Sequence, residues 1–250
     1  MDIFKSTNAK QHIKTISDDF VRIVESQQQI ATTRIVDTLE EQAILESLLE
    51  ETKPPLLAHS KHLHYLFSTP FRYPPLKHGS RFGSRFYPSL LYGSKTVETV
   101  LIECSYYRFL FWYGMKEPPK SKKFITEHTL FAGRYYSEQG LQLQNKPFST
   151  YCKQLRDVAN YASTQALGLM MREAGIGAFE YSSARDSNKG VNIGLFTAEA
   201  LIVNEPLYKS QWICSTTENN VRFVSRDVSK VYGFNINEFV VDGVLPSAAV

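Results

Sequence analysis

The sequence predicts an α+β fold, because helical and extended patterns follow one another in irregular order. Residues 96–111 and 151–174 carry apolar side chains at helical spacing. Residues 178–181 and 191–196 have the short apolar runs of buried strands, and residues 211–225 have the pattern of a β-hairpin. No predicted strand is followed by the glycine fingerprint of a dinucleotide-binding βαβ unit, so a Rossmann fold is disfavoured.

The composition is that of a globular protein with one sizeable domain. The chain has 250 residues, of which 43% are hydrophobic and 21% are charged. The net charge of +3 is too small to indicate direct nucleic-acid binding. The three cysteines are far apart, and we find neither a signal peptide nor an apolar run of membrane-spanning length. We therefore expect a cytoplasmic protein.

The first part of the chain is predicted to be helical. Residues 18–52 place Phe20, Ile23 and Val24 on one helical face and contain neither Pro nor Gly. The proline pair at 54–55 ends this helix.

We divide the chain at this point into an N-terminal helical extension, residues 1–58, and a main domain, residues 59–250. The motifs of the main domain fall within residues 59–204. The aromatic stretch 64–73 is predicted to be extended. Further short strands are predicted at residues 90–92, 124–131 and 141–143.

Arg81, Tyr92 and Glu103 are the first candidate site residues. Arg81 lies in a loop rich in Gly and Ser, where a guanidinium can bind phosphate in a bidentate way. Glu103 lies in an apolar run of the following helix, and burying a carboxylate is costly unless it has a partner or a task. The pattern alone leaves two interpretations of Glu103 open, a core ion pair and an active-site carboxylate.

Three further patterns are weaker. The turn at residues 181–185 can present hydroxyls and amides to a polar ligand, and Arg72 is held by flanking prolines as a second phosphate-binding candidate. His59, His62 and His64 superficially resemble a zinc site. No Cys or carboxylate nearby in sequence completes a ligand set, so we expect no metal.

Together these segments resemble the RES domain, a family named for an Arg, a Glu and a Ser. The family pattern has a glycine-rich loop with Arg and an aromatic residue, then a Tyr, then a helix with Glu. A later helix with a Gln-Ala-Leu-Gly stretch is followed by a Gly, a short strand and a Tyr-x-Ser-x-Arg turn. The matching residues here are Arg81-Phe82, Tyr92, Glu103, Gln165-Ala166-Leu167-Gly168, Gly175, Tyr181 to Arg185, Asn192 and Phe196.

The resemblance implies a fold similar to that of ADP-ribosyltransferase toxins and an enzyme that consumes NAD. RES proteins are toxins of bacterial toxin–antitoxin pairs, and their partner is an Xre-type antitoxin with a helix-turn-helix. Contact with nucleic acid would then be indirect, through the antitoxin. The acceptor of ADP-ribose is phosphate or water in some members and a protein in others.

The resemblance also implies the roles of individual residues. Glu103, Arg81, Tyr92 and Ser183 are expected to be catalytic, with Ser163 as the competitor for the family serine. The NAD-binding residues are expected to be Arg72, Tyr73, Arg81, Tyr92, Arg185 and Ser163.

Several alternatives stay open at this point. The chain could be a catalytically inactive relative that only binds a nucleotide or a partner, or a metal-dependent hydrolase that uses the three histidines. The N-terminal helices are compatible with antitoxin contact, with self-association into a homo-oligomer, or with packing on the main domain.

Overall fold

Helices surround one mixed sheet, which confirms the predicted α+β class. The structure is a computed structural model that describes residues 2–26, 36–225, 227 and 229–247. The helices of the described residues are α1 (Ile3–Ser6), α2 (Leu39–Thr52), α3 (Tyr65–Arg72), α4 (Val97–Tyr113), α5 (Cys152–Leu155) and α6 (Ala162–Glu173). The strands are β1 (Lys14–Glu25), β2 (Leu91–Ser94), β3 (Phe124–Gln142), β4 (Ala178–Ser182), β5 (Val191–Leu195), β6 (Lys209–Thr216), β7 (Asn220–Ser225) and β8 (Val231–Asn235).

Five of the strands form a closed ring. The hydrogen-bonded order is β1-β2-β5-β4-β3, and β3 also pairs with β1, which closes the ladder. β1 and β3 pair along nearly the whole of β1, whereas β1 and β2 pair only at Val21 and Ser94. The ring therefore has one short seam, between β1 and β2.

The long strand β3 joins the ring to an antiparallel arm. Its first half pairs with β6, which continues to β7 and β8 as a meander. The predicted hairpin at residues 211–225 is confirmed as β6 and β7, but the strands predicted separately at residues 124–131 and 141–143 are one strand.

The prediction of a helix was wrong for residues 18–25, which belong to β1. Phe20 packs against α3 through Phe67, while Val21 packs in the cluster beneath α4. A strand that is buried on both faces has a continuous apolar run, and such a run also satisfies helical spacing. The β-branched residues Val21, Ile23 and Val24 favour the strand, and pairing with β3 decides it.

The helical prediction holds for α2, which lies in the second half of the predicted segment. Thr38 and Glu41 form a reciprocal capping box at its N-terminus. Residues 27–35 of the predicted helix lie outside the described residues. The division at residue 58 stays a prediction, although the first part contains β1 as well as helices.

Residues 64–73, which were expected to be extended, contain the helix α3. The ring Nδ1 of His64 accepts a hydrogen bond from the backbone N–H of Leu66 and caps the helix. Phe67 and Phe71 lie one turn apart and are buried in the cluster that fills the ring. This burial outweighs the signal of Pro70, which lies inside the helix.

The predictions for α4, β2, β4 and β5 are confirmed within a few residues. The helix predicted over residues 151–174 is interrupted, since α5 ends at Leu155 and α6 begins at Ala162. None of the helices in the described part of the chain is long and apolar enough to cross a membrane.

The buried carboxylate of Glu180 connects several parts of the ring through hydrogen bonds and an ion pair. It accepts hydrogen bonds from the Tyr135 hydroxyl at 2.6 Å and from Gln144 at 2.7 Å, and Lys95 lies 3.0 Å away. Burial alone would raise the pKa of Glu180, but these donors outweigh it and lower the pKa below its ordinary value of 4.5.

Because its pKa is lower in the folded protein, Glu180 stabilises the fold above pH 4.5, and this stabilisation is lost as the pH falls through the folded pKa. We predict that Glu180→Gln lowers the free energy of unfolding by about 3 kcal/mol at pH 7. The difference from wild type should shrink below pH 4.5. Urea unfolding at several pH values measures it, with the exposed Glu138→Gln as the control. A difference that does not change with pH would contradict the assignment.

Candidate functional site

A cavity of about 320 Å³ lies between α4 and the face of β2, β4 and β5 that points towards it. This volume is within the range of small-molecule sites, about 300–1,000 Å³. Its lining includes four tyrosines, two arginines and one carboxylate. They are Tyr92, Tyr107, Tyr161, Tyr181, Arg22, Arg81 and Glu103.

Glu103 lies in the second turn of α4. It is half-buried and lines the cavity. One of its oxygens, Oε1, accepts hydrogen bonds from Ser183 Oγ at 2.6 Å and from Asn192 Nδ2 at 2.7 Å. No salt bridge among the described residues involves Glu103. The geometry therefore differs from that of a core ion pair, which was one of the two interpretations of this residue.

The turn after β4 fixes the position of Ser183. The Ser183 hydroxyl accepts hydrogen bonds from the backbone N–H groups of Arg185 and Asp186 while it donates to Glu103. Asp186 in turn accepts a hydrogen bond from Thr99 Oγ1 at 3.0 Å, which ties the turn to the start of α4. The serine and the glutamate are thus held on two elements that are themselves connected.

Asn192 on β5 was not predicted as a site residue. Its Oδ1 accepts a hydrogen bond from Ser94 Oγ at 2.7 Å, and its amide nitrogen donates to Glu103. Since Ser94 is on β2, a chain of hydrogen bonds runs from β2 through β5 to α4. The sequence feature that could have indicated Asn192 is its polar side chain inside the otherwise apolar strand β5.

Arg22 on β1 was also missed. Its Nη1 donates to the backbone carbonyl of Tyr92 at 2.5 Å, and its Nε is buried without a hydrogen-bond partner among the described residues. Burial lowers the pKa of Arg22 to about 10, so it stays charged at neutral pH. An arginine within the apolar run from Phe20 to Val24 was the available signal, but the segment was interpreted as a helix.

Arg81 reaches the cavity from the glycine-rich loop. Its Nη1 donates to the backbone carbonyls of Leu155 and Asp157, at 3.2 and 2.8 Å, where the chain leaves α5. Its guanidinium lies 4.4 Å from the centre of the Tyr161 ring. The interruption between α5 and α6 therefore supplies both acceptors that orient Arg81.

Tyr92 connects β2 to the same loop. Its hydroxyl lies 2.9 Å from Ser80 Oγ and accepts a hydrogen bond from the backbone N–H of Phe82. Burial raises the pKa of Tyr92 to about 12, so the phenol is neutral at physiological pH. The ring faces the cavity while the hydroxyl holds the loop.

The helix α6 holds the loop from the other side. Gln165 Nε2 donates to the backbone carbonyls of His78 and Ser80, both at 3.0 Å. Gly168 allows the helix to approach the loop, because a Cβ at this position would lie 1.9 Å from the carbonyl oxygen of Phe82. The Gln-Ala-Leu-Gly stretch thus has a structural explanation.

The sequence profile of the RES domain matches residues 54–216. The chain belongs to the RES-domain family. Comparison with curated proteins gives no significant match. The matched range contains Arg81, Tyr92, Glu103 and Ser183, whereas Arg22 lies before it.

The RES fold brings Arg81, Tyr92 and Glu103 to one cavity, and Ser183 bonds directly to Glu103. Of the two serines that were considered, Ser183 has this contact, whereas Ser163 lies on α6 and does not line the cavity. The hydrogen bond favours Ser183 as the RES serine.

The remaining predicted binding residues do not line this cavity. Arg72 donates to the carbonyl of Pro54 and pairs with Glu50 at 2.6 Å, and Tyr73 follows it in an exposed position. Arg185 is buried with its guanidinium 3.5 Å from the Tyr106 ring centre, and only its backbone N–H bonds Ser183.

The surroundings of His64 and Cys104 bear on the metal-site and nucleophile alternatives. Among the described residues, no group of three or more His, Cys, Asp and Glu side chains is placed to hold a metal ion. His64 caps α3, as described above. Burial raises the pKa of the Cys104 thiol to about 12, which disfavours the thiolate that a nucleophile needs.

We predict that Gly168→Ala destabilises the RES domain by about 1–3 kcal/mol, because the added methyl group overlaps the Phe82 carbonyl. Urea unfolding measures the effect. Gly233→Ala is the matched control, since a Cβ there meets no atom within 4 Å. Equal stability of Gly168→Ala and wild type would show that the approach of α6 to the loop does not require glycine at this position.

Proposed function

We propose that this RES protein cleaves the bond between nicotinamide and ribose in NAD. The observation that carries the proposal is the Glu103 carboxylate, fixed at one oxygen by Ser183 and Asn192 in a cavity that also holds two arginines. Membership of the RES family supports NAD as the substrate.

The charges of the cavity fit a dinucleotide. No salt bridge among the described residues involves Arg22 or Arg81, so both positive charges are available to the pyrophosphate. The aromatic faces of the tyrosines suit the nicotinamide ring and the ribose. A carboxylate and two cations in one cavity match a ligand that has a cationic ring at one end and phosphates at its centre.

The chemistry assigned to Glu103 is electrostatic. When the bond from ribose C1′ to the nicotinamide nitrogen breaks, the electron pair leaves with the nitrogen and the ribose gains oxocarbenium character. A carboxylate that accepts a ribose hydroxyl and faces C1′ stabilises this positive charge. Since Ser183 and Asn192 both donate to Oε1, we assign the other carboxylate oxygen to the substrate.

The other RES residues position the substrate. Tyr92 orients the ribose through its ring, and Arg81 and Arg22 hold the pyrophosphate. The acceptor at C1′ is phosphate, water or a protein side chain, each of which gives free nicotinamide as the first product. The family resemblance further supports a cytoplasmic toxin that an Xre-type antitoxin neutralises.

The second candidate function is a nucleotide-binding module without catalysis. The oriented Glu103 carboxylate fits this function as well, because a carboxylate that accepts ribose hydroxyls also serves nucleotide binding without catalysis. Release of nicotinamide from NAD separates the two functions directly.

We predict that Glu103→Gln lowers the rate of nicotinamide release by at least about 100-fold, because the amide lacks the negative charge that the transition state requires. The measurement is free nicotinamide after incubation with NAD. The exposed Glu98 on the same helix gives the matched control, Glu98→Gln, which should keep the wild-type rate. Wild-type activity of a folded Glu103→Gln would overturn the mechanism.

A further inference from the structure

Two smaller cavities adjoin the one that contains Glu103, and all three share Arg22. The first is a cleft lined by Pro70, Pro74, Pro75 and Pro88, here called the proline-walled cleft, with a volume of about 270 Å³. The second, of about 100 Å³, lies between α3 and the end of β1.

We propose that the proline-walled cleft binds the adenosine half of NAD, with the pyrophosphate on Arg22. This inference rests on the proposed function for the identity of the dinucleotide. It assigns a subsite to a part of the chain that the Glu103 chemistry does not use.

The position of Arg22 is the first argument. The guanidinium lies where the Glu103 cavity meets the proline-walled cleft, and both cavities also share Ser80 and Tyr92. In NAD the pyrophosphate separates the two nucleosides. A cation between two adjoining cavities matches that order, with nicotinamide riboside near Glu103 and adenosine on the other side.

Size and connection favour the proline-walled cleft over the smaller cavity. Its volume of about 270 Å³ exceeds the about 100 Å³ of the cavity beside α3. The smaller cavity shares only Arg22 with the Glu103 cavity. A nucleoside therefore fits the cleft better than the smaller cavity, because the cleft has the larger volume and shares more lining residues with the Glu103 cavity.

The walls of the cleft are mostly apolar, and hydrogen bonds hold them at Pro88 and Ser80. Arg172 Nη2 donates to the carbonyl of Pro88 at 2.6 Å, and Gln165 holds the loop at Ser80. Gly79 has φ +72, and a Cβ there would lie 2.3 Å from the carbonyl oxygen of Gly83, so the loop can fold this tightly only with glycine. Apolar walls with a few polar groups are typical of sites for flat heterocycles.

ADP is the probe, because it carries adenosine and pyrophosphate without nicotinamide. We expect wild-type protein to bind ADP in isothermal titration calorimetry. Ser89 lines the cleft and is half-buried, and Ser89→Trp should fill it and weaken ADP binding by about tenfold to a hundredfold. Ser149→Trp, at a half-buried serine that lines none of the three cavities, is the matched control.

Thr69→Trp fills the smaller cavity instead. Loss of ADP binding in this variant alone would place adenosine beside α3 and overturn the proposal. Equal affinity in all variants, or no binding by wild type, would also overturn it. If Ser89→Trp does not fold, Leu76→Glu gives the same expectation, because it replaces an exposed apolar wall residue of the adenosine cleft by a carboxylate.

Kinetics separate this proposal from the proposed function. For folded Ser89→Trp, the ratio of kcat/KM for NAD to that for nicotinamide mononucleotide, which lacks adenosine, should fall by about tenfold. ADP binding that depends on Ser89, without release of nicotinamide from NAD, would refute the activity and leave the subsite. Release of nicotinamide with an unchanged ratio in Ser89→Trp would refute the subsite and leave the activity.

Discussion

The short pairing between β1 and β2 determines where the site forms. The two strands meet only at Val21 and Ser94, and beyond this pair the carbonyl of Tyr92 accepts its hydrogen bond from the Arg22 side chain. A continued ladder would satisfy that carbonyl with a backbone N–H and leave no opening. The seam therefore places a cation that lines three cavities and satisfies a backbone acceptor at the same time.

The hydrogen bonds at Glu103 depend on this arrangement of strands. Ser94, next to the seam, orients Asn192, and Asn192 and Ser183 together orient the carboxylate. A half-buried carboxylate costs little free energy when two donors satisfy one oxygen. The site is thus preorganised by three strands and one helix, and no salt bridge of the described residues neutralises Glu103.

Local patterns were sufficient where an element has a long run of apolar residues, alternating strands or a clear turn. The helix α4 and the β6–β7 hairpin are of this kind, as is the turn that carries Ser183. Local patterns failed where packing decided the outcome. β1 is buried on both faces and mimics helical spacing, and α3 contains a proline. At the break before α6, the carbonyls of Leu155 and Asp157 accept hydrogen bonds from the distant Arg81.

The sequence by itself determined the family and the fold class, because spacing within the RES motifs is a local property of the chain. It also named Arg81, Tyr92, Glu103 and Ser183 as candidate site residues, with Ser163 as the alternative serine. It also indicated that Glu103 needed a partner or a task. Only the tertiary structure showed that Ser183 and Asn192 are the partners of its carboxylate, and only it brought Arg22 and Asn192 to the cavity. Arg22 and Glu103 are far apart along the sequence, because most of the N-terminal region and the first part of the main domain lie between them. No local pattern encodes the β1–β2 seam that brings them together. Pairing between distant strands is set by the packing of the whole ring.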